Sequence, residues 1–414
     1  MTDLPTPTYA RNMRLVGTSD QGGRPDGLQI MLHRRHAYVG HIFSGGFTVL
    51  DVADPRAPVA KAFVPAPANT WNLHLQTADD LLLVVHAEDM FAQARFADEH
   101  AYYKGWAGAK AEARARTWSA GMAVYDVSRP AEPRPIGFLP IEGGGLHRIW
   151  YTGGRWAYAS ALFDGFTDYI LVTIDMADPA NPRLAGRFWL PGMNQAAGED
   201  LPPEMRRAGR FGLHHPIVHD GVAYCSWRDA CLVMVDVSDP ADPTLIGRKI
   251  WSPPFGGGTH NALPLPDRGL LVVADEAVLD EGQDGFKPIW IFNNEVRGNP
   301  ISIATCPAPA DTDYHRVGGH FGPHNIHENR PGTLVSDTLI FATYQNAGVR
   351  VFDITDPLRP VEAAALVPSP PTRMVDPRPN RAPVLHAADV TVDRDGLIYA
   401  TDYNAGLSVM EMTR

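Results

Sequence analysis

The sequence has only three cysteines, Cys225, Cys231 and Cys306, among 414 residues. So few cysteines, without the paired spacing of a zinc site, predict reduced thiols and a cytoplasmic protein. No basic stretch followed by an apolar one opens the chain, so no secretory signal is predicted. Long apolar runs are missing, which argues against a membrane span. The net charge of −11, without a basic block, argues against a nucleic-acid partner.

Glycine and proline are abundant, with 38 and 37 residues. Both residues favour turns, so the composition indicates many short elements joined by turns. With 44% hydrophobic and 20% charged residues, the chain is typical of a folded globular protein and not of a disordered one.

A strand-and-turn motif recurs along the chain. Its clearest copy, at 232–243, reads Leu-Val-Met-Val-Asp-Val-Ser-Asp-Pro-Ala-Asp-Pro. Other copies begin at Phe47, Met122, Leu171, Ile289, Val349 and Leu407. The β-prone residues predict a strand, and the Asp-Pro pairs predict the turn after it. With the strands on either side, the motif gives seven units of four strands, of which the seventh lacks its last strand.

This repeat resembles the LVIVD family of propeller repeats, in which a Leu-Val-Ile-Val-Asp strand is followed by Ser-Asp-Pro and a second proline. The resemblance covers nearly the whole chain and implies a propeller fold. We therefore predict an all-β, seven-bladed β-propeller that forms a single domain over residues 1–414. A strand at 12–17 should pair with the last strand and close the ring. Residues 88–121 predict a helical lid insertion in blade 2, on the rim of the funnel mouth.

A second motif opens the innermost strand of each unit. It places histidine at one register in six units and glutamine in the seventh: His74, His147, His214, His260, His324 and His386, with Gln29. A single inward histidine is usually structural, but six favour a metal site, because neutral imidazole is the commonest transition-metal ligand. We predict that three or four of them bind one divalent ion, Fe, Mn or Zn, and that the others contact substrate or the ligands.

The ends of the neighbouring strands supply the outer wall of the same funnel. Candidate catalytic residues there are Arg228, Glu276, Tyr344, Asp402 and Tyr403. Candidate contacts to substrate or to the metal ligands are Gln29, Arg148, His41, His320, Glu88 and Trp227. Because arginine binds carboxylates in a bidentate manner, the expected substrate is a small organic molecule with a carboxylate or carbonyl group.

By architecture alone, this centre resembles those of two known propeller families. Carotenoid-cleaving oxygenases hold iron with four histidines, and oligogalacturonate lyases hold manganese with three histidines and a glutamine. The sequence lacks the local motifs of both, and its Arg, Tyr and carboxylate residues favour Lewis-acid chemistry by a lyase, hydratase or hydrolase. Two alternatives stay open: a His-ligated iron oxygenase, and a non-catalytic binding propeller with structural histidines. Oligomeric state is also open.

Overall fold

The structure is a computed structural model that describes residues 4–91, 117–203, 209–378 and 381–413. Its elements that are described in full are β-strands and three short 3₁₀ helices, Gln195–Ala197, Pro266–Arg268 and Tyr314–Arg316. No helix among the described residues has the length and apolarity needed to cross a membrane.

Five of the sheets have four antiparallel strands each and form discrete blades. One blade contains β3 (Gly27–His33), β4 (His36–His41), β5 (Gly46–Asp51) and β6 (Val59–Pro65). Another contains β16 (His215–His219), β17 (Val222–Ser226), β18 (Leu232–Asp236) and β19 (Thr244–Lys249). A third contains β20 (Thr259–Leu265), β21 (Leu270–Asp275), β22 (Ile289–Asn293) and β23 (Ile301–Thr305).

The last two blades each include a strand from the N-terminal region. One consists of β24 (Leu339–Thr343), β25 (Val349–Asp353), β26 (Val361–Val367) and, on its outer edge, β1 (Tyr9–Arg11). The other consists of β27 (Ala387–Val392), β28 (Ile398–Asp402), β29 (Gly406–Met412) and β2 (Met13–Ser19). In the second of these blades the early strand β2 completes a sheet with the late strand β29, and Met13 pairs with Met412.

The sixth sheet has nine strands. In chain order they are β7 (Thr70–Trp71), β8 (Leu75–Ala78), β9 (Leu81–Glu88), β10 (Gly121–Asp126), β11 (Arg134–Pro140), β12 (Gly143–Trp150), β13 (Trp156–Phe163), β14 (Ile170–Asp175) and β15 (Arg183–Phe188). Hydrogen bonds run along the order β11-β10-β9-β12-β13-β14-β15, and β7 and β8 both pair with β9.

This sheet corrects the predicted fold. The described residues form five four-stranded blades in a propeller-like ring plus one nine-stranded half-barrel sheet, so the prediction of seven separate blades is wrong. The cause is the length of β9, whose residue Ala87 reaches past β8 and pairs with Gly145 of β12. The predicted helical insertion at 88–121 is wrong at its described ends, where Glu88 ends β9 and Gly121 begins β10, and its middle part, residues 92–116, lies outside the described residues.

The strand motif owes its apolar composition to burial on both faces. In β18, Leu232 and Met234 pack in one core cluster, whereas Val233 and Val235 pack in another on the opposite face. The innermost strands of neighbouring sheets contact one another: β3 touches β8 and β27, and β16 touches β12 and β20. The ring therefore brings the first residues of these strands together at its axis.

Glycine is required where an outer strand meets the turn of the next sheet. A Cβ on Gly186 of β15 would lie 2.3 Å from the Pro240 carbonyl oxygen. We expect Gly186→Ala to lower the free energy of unfolding by about 1–3 kcal/mol, the usual cost of forcing extra atoms into a packed contact. Urea denaturation measures this loss, with the exposed Thr244→Ala as the control. A loss below about 0.5 kcal/mol would contradict the expectation.

Candidate functional site

Five of the six predicted histidines converge at the axis of the ring. We call them the histidine arc: His74, His147, His214, His260 and His324. Successive ring centroids along it are separated by 4.7, 4.7, 3.6 and 4.5 Å. Each histidine stands on the innermost segment of its repeat unit, so assembly of the ring is sufficient to bring the imidazoles together.

Backbone carbonyls fix the orientation of three imidazoles in the arc. Each contact joins Nδ1 to a carbonyl oxygen further along the chain: His74 to His147 at 2.5 Å, His214 to His260 at 2.8 Å, and His324 to Ala388. A carbonyl oxygen only accepts, so Nδ1 carries the hydrogen and Nε2 carries the lone pair. Burial lowers the pKa of His74 and His214 well below its usual value, so both rings are neutral.

His260, Glu276 and His324 bring three donor atoms within 4.8 Å of one another, and all three side chains are buried. Glu276 follows the last residue of β21, and its Oε1 lies 3.3 Å from His324 Nε2. Its Oε2 lies 3.5 Å from His260 Nε2. Within the described part of the chain, no other set of three His, Cys, Asp or Glu donors meets this spacing. Two neutral imidazoles and a carboxylate form the donor set of catalytic zinc and non-haem iron sites.

Arg228 keeps the carboxylate of this triad ionised. Its Nη1 donates to Glu276 Oε2. Burial raises the pKa of Glu276, but the nearby His260 and Arg228 outweigh burial and hold that pKa well below its usual range. Arg228 itself sits in a tight turn at φ +42°, a backbone conformation that functional sites often impose on non-glycine residues. The triad therefore offers a negative charge between two imidazole nitrogens, which suits a divalent cation.

A cavity of about 50 Å³ lies in front of the histidine arc. One wall is polar and contains the arc, Glu276, Arg210 and Arg228. The other wall is apolar and contains Leu28, Ile42, Trp71, Leu73, Met90, Phe91 and Tyr403. A buried water needs roughly 10–15 Å³, so this volume holds an ion with a few waters or the reacting end of a substrate.

A second cluster of charges lies one residue further along the inner strands. Arg148 Nη2 is 3.0 Å from Glu328 Oε1, and His215 Nε2 is 2.8 Å from the same oxygen. Arg330 Nη1 lies 3.7 Å from the other Glu328 oxygen. Burial lowers the pKa of His215 to about 4, so this histidine is neutral. Arg148 is thus held by a buried carboxylate and does not line the cavity.

The predicted catalytic residues divide into two groups. Arg228, Glu276 and Tyr403 line the cavity. Tyr344 is buried against Phe321, with ring centroids 5.6 Å apart. Asp402 accepts hydrogen bonds from the backbone N–H groups of His386 and Asn404 and so holds a turn together.

His386 and the predicted contacts to substrate or to the metal ligands do not line the cavity. His386 is stacked on Tyr403 at 3.8 Å, with His320 at 4.7 Å on another side. The remaining four have structural contacts: Gln29 accepts from Leu75 N, His41 contacts Thr48 and Asp26, Trp227 donates to Phe211 O, and Glu88 pairs with Thr70 through its backbone. The histidine register therefore brings five imidazoles to the site and leaves the sixth beside it.

Several residues that line the cavity do not stand at a repeated position of the sequence motifs. Arg210 belongs to the connection before β16, and Phe91 follows β9. Both come from segments that differ between units, so no register points to them. Trp71 precedes His74 by three residues and packs on His147 with centroids 5.6 Å apart. Its position on a short strand that pairs with β9 is visible only in the folded sheet.

The fold defines an all-β protein with a propeller-like ring and a buried cluster of histidines at its axis. Residues 217–249 are an LVIVD repeat, a repeat found in β-propeller proteins, which confirms the resemblance seen in the sequence. No curated protein matches the sequence.

Solved structures share the fold at low sequence identity. The periplasmic gluconolactonase of Pseudomonas aeruginosa has a TM-score of 0.52 and 12% identity, over 98% of this chain and 96% of that chain. A functionally unknown protein from Desulfotomaculum acetoxidans has a TM-score of 0.52 and 10% identity, over 94% and 90%. A protein from Lactobacillus plantarum has a TM-score of 0.52 and 13% identity, over 94% and 95%. Such identities show the fold alone.

Proposed function

We propose that this protein is a metal-dependent enzyme that acts on a small organic molecule by hydrolysis or elimination. The observation that carries the proposal is the buried triad of His260, Glu276 and His324, whose donor atoms lie within 4.8 Å of one another. Both imidazoles have Nδ1 bound to an oxygen, at Asn261 Oδ1 for His260 and at Ala388 O for His324. This leaves Nε2 of each ring for a metal, as ligating histidines require.

The ion would polarise a carbonyl or carboxylate oxygen of the substrate. Arg228, beside Glu276, places a fixed positive charge where negative charge develops on that oxygen. His214 is stacked on His260 at 3.6 Å, and its free Nε2 lone pair suits it to accept a proton from substrate or water. The apolar wall includes Trp71 and Phe91, whose ring centroids are 5.5 Å apart, and it would limit the access of bulk water.

A second candidate is a non-haem iron oxygenase. It is favoured by the same donor set, because two histidines and one carboxylate are the ligands of mononuclear iron oxygenases. The identity of the ion therefore separates the two functions, and the assays below treat oxygen consumption as a distinct outcome.

We expect protein purified without a histidine tag to contain about one equivalent of a transition metal, or to bind one on reconstitution, because the triad is a complete donor set. Inductively coupled plasma analysis measures this content. Zinc, manganese and iron(II) forms would then be compared on a panel of esters and lactones for hydrolysis and in an oxygen electrode for oxygenation. Less than about 0.1 equivalent after reconstitution with each metal would exclude the proposed function.

A further inference from the structure

The histidine arc contains more lone pairs than the triad uses. His74 and His214 each donate from Nδ1 to a carbonyl oxygen, so each presents an accepting Nε2. Both side chains line the same cavity as the triad. Between them stands His147, whose Nε2 is buried without a hydrogen-bond partner among the described residues. This end of the cavity is therefore lined by imidazole nitrogens with unmet hydrogen-bonding capacity.

The chemistry of these nitrogens restricts what can bind there. An accepting Nε2 needs an O–H or N–H donor, and a carboxylate oxygen or an apolar group cannot supply one. A second metal ion would also satisfy lone pairs. However, the donor atoms of His74, His147 and His214 fall outside the spacing that the triad meets.

The neighbouring surfaces fit the carbon skeleton of a small hydroxylated molecule. Trp71 packs against His147 at 5.6 Å and His74 at 6.4 Å, so an apolar ring borders the accepting nitrogens. At the other end of the cavity lies the triad, next to Arg228. A ligand that spans the cavity thus meets hydroxyl acceptors at one end and a cationic centre at the other.

We infer that the substrate is a hydroxylated carbonyl or carboxylate compound, whose hydroxyl hydrogens are accepted by Nε2 of His74 and His214. This inference rests on the proposed function, because the triad is taken to hold the carbonyl or carboxylate oxygen. His74 and His214 then decide specificity, since they distinguish a hydroxylated compound from its deoxy counterpart of nearly the same shape.

Matched probes test the inference. Glycolate and acetate differ by one hydroxyl group, and both fit a small cavity. Titration calorimetry with the metal-loaded wild-type protein should show glycolate binding at least about 5-fold more tightly than acetate, the effect of one added hydrogen bond. Glycolate has one hydroxyl hydrogen, so the leucine variant that removes the accepting nitrogen, His74→Leu or His214→Leu, should reduce this ratio toward one, and the double variant should do so as well. His74→Gln, which keeps an acceptor, should retain part of it, and the exposed His219→Leu should leave it unchanged.

Two results would overturn the inference. Equal affinities of the wild-type protein for glycolate and acetate would show that the arc does not accept hydrogen bonds from hydroxyl groups. A second equivalent of bound metal that disappears in His74→Leu would show that these histidines are ligands instead. Metal content and the thermal unfolding curve are recorded for every variant. A wild-type protein that binds no metal after reconstitution but still prefers glycolate would remove the proposed function alone, whereas a metal-loaded protein without the preference would remove only this inference.

Discussion

Replacing Glu276 by alanine should lower the affinity of the site for its metal at least about 100-fold. Loss of a residue that supports a metal ligand commonly lowers metal affinity about 10- to 100-fold. Glu276 is itself a donor and supplies the only carboxylate of the triad, so its loss should have at least this effect. His260→Ala and His324→Ala should each cost about 10-fold or more, because each removes one Nε2 donor. Competition with a chelator of known affinity measures these changes on the intact protein.

Two variants outside the triad serve as controls for this series. Gln29→Ala and His386→Ala should retain metal, because the Gln29 oxygen is bound to Leu75 N and His386 is stacked on Tyr403. Glu276→Gln keeps the shape of the side chain and an oxygen that accepts from Arg228 but removes the charge, which separates loss of the carboxylate ligand from loss of side-chain volume. Unchanged metal content in all three triad variants would rule out this site.

The metal-free protein should unfold as the pH falls from about 6.5 toward 4. Burial lowers the pKa of His86 and His215 to about 4, and that of His214 well below its usual value. In the unfolded chain these groups titrate near 6.5, so below that pH the unfolded state binds more protons and folding stability falls. Each such histidine lowers the free energy of unfolding by about 1.4 kcal/mol per pH unit in this window. A few of them are enough to exhaust a typical stability of about 5–15 kcal/mol.

Two buried carboxyl groups act in the opposite direction. Burial raises the pKa of Asp275 and Asp389 to about 6, so below pH 6 the folded state binds these protons first and gains stability. These two carboxyl groups offset the destabilisation from about two of the histidines, so the free energy of unfolding still falls as the pH is lowered. Thermal unfolding between pH 7 and pH 4 measures the slope, which His86→Phe should make shallower and the exposed His219→Ala should not. A melting temperature that is constant from pH 7 to pH 5 would contradict the expectation.

The candidate site could be predicted from the sequence as far as the repeats extend. Histidines at one register of the innermost strands must meet at the axis of a ring, which is why five of them form the arc. Glu276 and Arg228 could also be found, because both follow the second strand of their units. His386 lies outside the arc, where its ring is stacked on Tyr403.

Features that depend on non-repeating segments could not be predicted. The strand motif indicates where each strand lies, but it does not contain the extra length of β9 that joins Ala87 to Gly145. Arg210 lines the cavity from the connection before β16, which is not part of the repeated motifs. The buried pairing of Arg148 with Glu328 joins residues from distant units, and only the closed ring brings them within 3.0 Å.

The two N-terminal strands determine when the ring of sheets can close during folding. Tyr9 pairs with Val367 and Met13 pairs with Met412, so neighbouring N-terminal residues complete two different sheets near the other end of the chain. During synthesis these strands have no partner until nearly all of the chain has been made. The edges of β1 and β2 are unpaired until β26 and β29 have been made, and unpaired edges promote association between chains. Closure of the ring is thus a late, long-range step, because β26 and β29 pair with strands that lie far from them in the sequence.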